Sequence, residues 1–169
     1  MGTNLLVDIM PGILGSNPYG ISALNGSLYF SADNGIDGSE PYKSDGTPEG
    51  TQQLANINPA GSSSPSSFTY FENAIFFSAN LSFDYELFME DLNTGSVTLV
   101  KNINPTGASV PSNFHLYSGL LFFTASDGQL GNELWQTDGT TVGTQMVKDV
   151  YNGIGSSYIF SRIYCGIFG

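Results

Sequence analysis

Three glutamates, Glu40, Glu86 and Glu133, recur at steps of 46 and 47 residues, and each is followed two positions later by an aromatic, Tyr42, Phe88 or Trp135. A carboxylate beside a flat ring can bind cations or stack a sugar, which makes Glu40, Glu86, Glu133 and Trp135 the candidate binding residues. The competing reading is structural: a carboxylate that accepts backbone N–H bonds, and an aromatic that fills core. A residue repeated in every unit ordinarily serves the unit, so the structural reading ranks first. The run Asp33-Asn34-Gly35-Ile36-Asp37-Gly38-Ser39-Glu40 crowds oxygen donors together, and a calcium ion would use Asp33, Asp37 and Glu40. It breaks the twelve-residue calcium-loop spacing, because the twelfth position from Asp33 is Ser44. Asp and Asn favour such turns for their own side-chain to backbone bonds, and no cofactor is otherwise expected.

Glycoside chemistry by paired carboxylates needs two side chains roughly 5 to 10 Å apart, one with a raised pKa. Glu40 with Glu133, or Asp84, which the other units lack, are the candidates. Equivalent positions in successive units lie a unit apart, too far to share a substrate. His115 is the single histidine, on an expected strand, and no G-x-S-x-G sequence accompanies it. Cys165 is the single cysteine, so neither an internal disulfide nor a Cys-rich metal site is available. Gly61-Ser62-Ser63-Ser64 lacks the lysine of a phosphate loop.

The elements that must position these residues follow the same period. Tyr29-Phe30, Phe76-Phe77 and Phe122-Phe123 keep step, trailed by Ala32, Ala79 and Ala125, and so do Pro18, Pro65 and Pro111. Asp8-Ile9, Asn56-Ile57, Asn102-Ile103 and Asp149-Val150 form a fourfold column. Columns in phase mark a repeat protein. The units run approximately 4–51, 52–96 and 97–144, with 145–169 a partial fourth, all in one repeat domain, 1–169.

Each unit holds four short strand signals separated by Gly, Asn, Asp and Pro turns, and no window shows a helical period. Val97–Ile103 is read as the first strand of the third unit. Phe83–Leu92 contains good helix formers, yet its register with Glu40 and Glu133 makes it a strand. The fold class is all-β: a β-propeller-like array of four-stranded antiparallel blades, about three and a half of them, as an open arc or a fragment of a longer array, with a solenoid of stacked β units as the alternative. Leu28, Ile75 and Leu121, with Phe30, Phe77 and Phe123, should fill one inter-blade layer. Tyr29, Phe76 and Phe122 should face the opposite neighbour. An open arc leaves Leu28, Phe30, Phe160, Ile163 and Ile167 uncovered and favours self-association.

Composition narrows the partners. Four basic residues against fifteen acidic ones leave a net charge of −11, and only 11% of the chain is charged. Phosphate backbones need several cations, so no nucleic acid is expected. No apolar run is long enough for a spanning helix, so no membrane insertion is expected either. Met1-Gly2-Thr3-Asn4 carries neither a basic n-region nor a long apolar stretch, so no signal peptide is readable.

Glu133-Leu134-Trp135-Gln136-Thr137-Asp138-Gly139-Thr140, followed by Gly143-Thr144, resembles the ELWxxDGT repeat of large bacterial secreted or surface proteins. Glu40-Pro41-Tyr42-Lys43-Ser44-Asp45-Gly46-Thr47 with Gly50-Thr51 is a changed copy, and Glu86-Leu87-Phe88-Met89-Glu90-Asp91-Leu92-Asn93 with Gly95-Ser96 a degenerate one. The resemblance covers essentially the whole chain. It implies propeller-like β architecture, an extracytoplasmic home and a non-enzymatic module for adhesion or for binding a protein or glycan. Gly2-Thr3 aligns with Gly50-Thr51, so the chain opens at a repeat boundary.

Overall fold

The computed structural model describes residues 2–149, and every regular element among them is a strand. The first sheet comprises β1 (Tyr19–Leu24), β2 (Ser27–Asp33), β3 (Ser39–Ser44) and β4 (Gln52–Gln53). The second comprises β5 (Ser66–Phe71), β6 (Ala74–Leu81), β7 (Asp84–Asp91) and β8 (Ser96–Lys101). The third comprises β9 (Ser112–Tyr117), β10 (Leu120–Ser126), β11 (Asn132–Thr137) and β12 (Gln145–Lys148). Within each sheet the strands lie in chain order, every neighbour antiparallel. The helix-prone stretch is β7, held open by pairing on both sides.

The turn between first and second strands recurs in one form. Asn25-Gly26, Glu72-Asn73 and Ser118-Gly119 all have positive φ at both residues, the geometry that matches the twist of a two-residue hairpin. The first strand of each sheet bulges at Gly20, Ser67 or Asn113, again at positive φ.

The sheets pack face to face along the chain, approaching most closely through β1, β5 and β9. Tyr29 joins Phe68, Ile75, Phe77 and Phe88 in the layer between the first and second sheets. Phe76 and Leu87 join Leu121, Phe123 and Trp135 between the second and third. Alternation along β2, β6 and β10 thus sends adjacent aromatics to opposite neighbours, as the columns anticipated. Phe30 departs from the open-arc expectation: it is buried, because Ile9 and Tyr42 cover it. Phe160, Ile163 and Ile167 lie outside the described residues.

The sheets are one strand out of phase with the sequence repeat. Ser96–Lys101, read as the opening strand of the third unit, pairs with β7 and closes the second sheet. The reason lies in the connections. Asp91 and Ser96 are paired partners across a tight hairpin, whereas the crossing to the next sheet runs through the longer 102–111 segment. Gln145–Lys148 likewise closes the third sheet.

Candidate functional site

Glu40, Glu86 and Glu133 open the third strand of their sheets, opposite Ala32, Ala79 and Ala125. All three glutamates are buried, and the alanines leave room for them. Glu40 Oε2 accepts the Ile57 amide at 2.9 Å and the Ser63 hydroxyl at 2.6 Å, while Oε1 accepts the Ser63 amide at 3.0 Å. Glu86 Oε2 accepts the Ile103 amide at 2.8 Å and the Ser109 hydroxyl at 2.7 Å, and Oε1 the Asn104 amide at 3.3 Å. Each carboxylate therefore clasps the segment that carries the chain to the next sheet. Burial is the largest influence on Glu86 and lifts its pKa; these hydrogen bonds oppose the lift, and the charge of Asp84 adds to it. The positions that align with Ile57 and Ser63 for Glu133 are Val150 and Ser156, outside the described residues.

The aromatic beside each glutamate is core. Trp135 is buried, donates Nε1–H to the Ala125 carbonyl at 3.0 Å and stacks on Phe123. Tyr42 stacks on Phe30 and Phe88 on Phe77, cross-strand partners in each case. Lys101 Nζ sits 6.0 Å from the Trp135 ring centroid while bonding the Thr144 carbonyl at 2.6 Å. A sugar stacked on any of these rings would have to displace the protein's own packing. Among the described residues these rings are occupied by the protein itself, and the Glu40 and Glu86 carboxylates are turned inward.

The oxygen donors of the Asp33 to Glu40 run are likewise engaged within the protein. Asp33 caps the Gly35 amide at 2.7 Å, and Asp37 accepts Asn34 at 2.9 Å and Asn56 at 2.8 Å. Glu40 is engaged elsewhere. No group of three or more acidic, histidine or cysteine side chains among the described residues is placed to hold a metal. Glu40 and Glu133 belong to the first and third sheets with the second between them, so they do not form a reacting pair. Asp84 lies beside Glu86, whose carboxylate is already spent on the 103–109 segment. His115 is exposed on β9, and Cys165 falls outside the described residues.

The Asp-Gly-Thr turns explain the other half of the motif. Asp45 Oδ1 accepts the Thr47 amide and hydroxyl at 2.9 and 2.7 Å, and the Thr47 hydroxyl oxygen accepts the Gly50 amide at 2.9 Å. Asp138, Thr140 and Gly143 repeat this at 2.9, 2.7 and 2.9 Å. A Cβ on Gly50 or Gly143 would overlap the aspartate carboxylate, hence glycine there. Thr51 and Thr144 then meet Ser44 and Thr137 through paired hydroxyls, each pair at 2.7 Å. Hydrogen bonds to Thr47 and Thr140 hold the exposed Asp45 and Asp138 below the ordinary carboxylate range.

One constellation was missed. Glu90 occupies the column of Ser44 and Thr137, in the degenerate unit, and is fully buried. Its Oε1 meets Lys43 Nζ of the preceding sheet at 2.8 Å. Among the described residues its Oε2 has no partner within ordinary hydrogen-bond geometry. The Tyr29 hydroxyl faces this carboxylate, and burial first, then the Glu90 charge and hydrogen bonding towards Glu90, push Tyr29 up to about 12. The available signal was the break in the hydroxyl column.

No family model matches the chain, and no curated protein does. Among solved structures, a puromycin hydrolase mutant complexed with PGG superposes with a TM-score of 0.52 at 13% identity, over 78% of this chain and 20% of that one. The chain thus spans about a fifth of that structure. At this identity the likeness speaks to fold alone, and the fold is β-propeller-like and all-β.

Proposed function

We propose that this chain is a non-enzymatic module of ELWxxDGT type from a secreted or cell-surface bacterial protein, its sheets serving as about three and a half blades that present loops to a protein or glycan ligand. The observation that carries the reading is where the motif spends its chemistry. Glu40 and Glu86 hold inter-sheet segments, Trp135 fills core, and Asp45 and Asp138 shape turns. A motif consumed in architecture repeats because the architecture repeats, and recognition is left to the loops that vary between units. Glycan arrays and pull-downs with the purified chain test it, with saturable binding as the expected result. Robust turnover of a polysaccharide or an ester would overturn it in favour of a carboxylate hydrolase.

A further inference from the structure

The outer face of the first sheet carries the columns that are sealed on the other two sheets. Leu28 is 39% exposed, whereas Ile75 and Leu121 in its column are 0% exposed. Ile21 is 62% exposed, against 6% for its counterpart Phe68. The difference is the preceding sheet: Tyr29 covers the Phe68 column, and Phe76 covers the Leu121 column. Over the first sheet an open apolar groove of about 200 Å³ remains, lined by Leu6, Ile9, Pro18, Ile21, Leu28 and Phe30.

Beside that groove stands the receiving half of a glutamate clasp. The Ser16 carbonyl accepts the Asp33 amide at 2.9 Å, as the Ser63 carbonyl accepts Asn80 at 2.7 Å and the Ser109 carbonyl accepts Ser126 at 2.9 Å. The next residues, Asn17, Ser64 and Val110, share a left-handed φ of 45, 45 and 48°. The Ser16-Asn17 end of this segment therefore repeats the geometry of the segments that Glu40 and Glu86 clasp, while its Ile9 end is set one residue further away, seven steps from Ser16 against six in the other two. Ile9 and Ser16 align in the repeat with Ile57 and Ser63, and with Ile103 and Ser109, the residues that donate to Glu40 and Glu86. Among the described residues no acceptor meets the Ile9 amide or the Ser16 hydroxyl.

We propose that this face docks one further unit of the same repeat, whose third-strand glutamate enters between the Ile9 amide and the Ser16 hydroxyl. Residues 3–7 of this chain, aligned with 51–55, supply that unit's fourth strand. An aromatic at the Tyr29 and Phe76 position of the incoming unit covers Ile21 and Leu28. Recognition is then a buried carboxylate on two protein donors beside an apolar layer, the chemistry of both internal joints. The inference concerns assembly and stands whatever ligand the array binds.

A copy of residues 19–49 fused directly ahead of Gly2 tests it, because this recreates the junction before Gly50 and leaves residues 2–169 intact. Hydrogen exchange at the Ile9 and Ser16 amides should slow by roughly tenfold or more relative to the unfused chain. Changing Glu40→Ala in the added copy alone should abolish that protection, and Ser16→Ala should weaken it. Ser16→Ala should leave the unfused chain unaffected. If the added residues stay unprotected while the three existing sheets remain intact, the proposal is overturned. Equal destabilisation by Ser16→Ala in the fused and unfused chains overturns it as well, since Ser16 would then serve only its own segment.

Discussion

Glu40 shows how much one repeated side chain can hold. Its carboxylate meets two amides and a hydroxyl, all buried, and Glu40→Ala would strand them together. Each orphaned buried donor costs about 1–3 kcal/mol, so Glu40→Ala should cost about 3 kcal/mol or more and Glu40→Gln roughly half as much. Urea titrations of the variants check this. Glu86 adds a dependence on acidity. Its pKa is raised in the folded chain, so the folded state takes up the proton first. Its contribution to stability is therefore full below the ordinary glutamate range and is lost as pH rises through the raised value. Urea midpoints of the Glu86→Gln variant should lack this component between mildly acidic and neutral pH. Tyr29 behaves likewise at the alkaline end: its stabilisation is full below pH 10.0 and lost as pH climbs towards about 12. With Glu90→Gln the tyrosinate absorbance of Tyr29 should appear at lower pH, because burial would then act without the neighbouring charge.

At the scale of elements, strands, two-residue turns and the two-sided aromatic columns were legible because each leaves a local mark. Alternation marks Tyr29-Phe30, and an Asn-Gly dipeptide marks the first hairpin. Sheet membership was not legible in the same way. Whether β8 closes one sheet or opens the next depends on hairpin length and crossing length, which hydrophobic period does not record. The inward direction of Glu40 was legible only as a preference, since the alanine opposite it gains meaning once the register is known. The Glu90 and Lys43 pair was missed because it joins two sheets and breaks the repeat. The Asp-Gly-Thr turn supplies its own test. Gly50→Ala should destabilise by about 1–3 kcal/mol through overpacking against Asp45. Asp45→Ala introduced with it should return part of the loss, which a double-mutant cycle measures.

For the whole molecule, two opposed properties meet. A net charge of −11 keeps copies apart, while Ile21 and Leu28 leave an apolar face uncovered. Static light scattering at micromolar concentration should show association that grows with added salt, because screening removes the repulsion and leaves the apolar attraction. The chain carrying the added unit presents the same Ile21 and Leu28 columns on its new outer sheet, so it should associate in the same way.

Trp135, the only tryptophan, stacks on Phe123 in the joint between the second and third sheets. Its emission therefore watches one joint and is blind to the other, where tyrosine and phenylalanine do the packing. In an array held by nearest-neighbour contacts, the two joints are free to part at different denaturant concentrations. Tryptophan emission and far-ultraviolet dichroism should then trace separate curves, and placing Trp at position 88 in a second variant would give the first joint its own signal. Coincident curves would mean that the two joints break as one cooperative body.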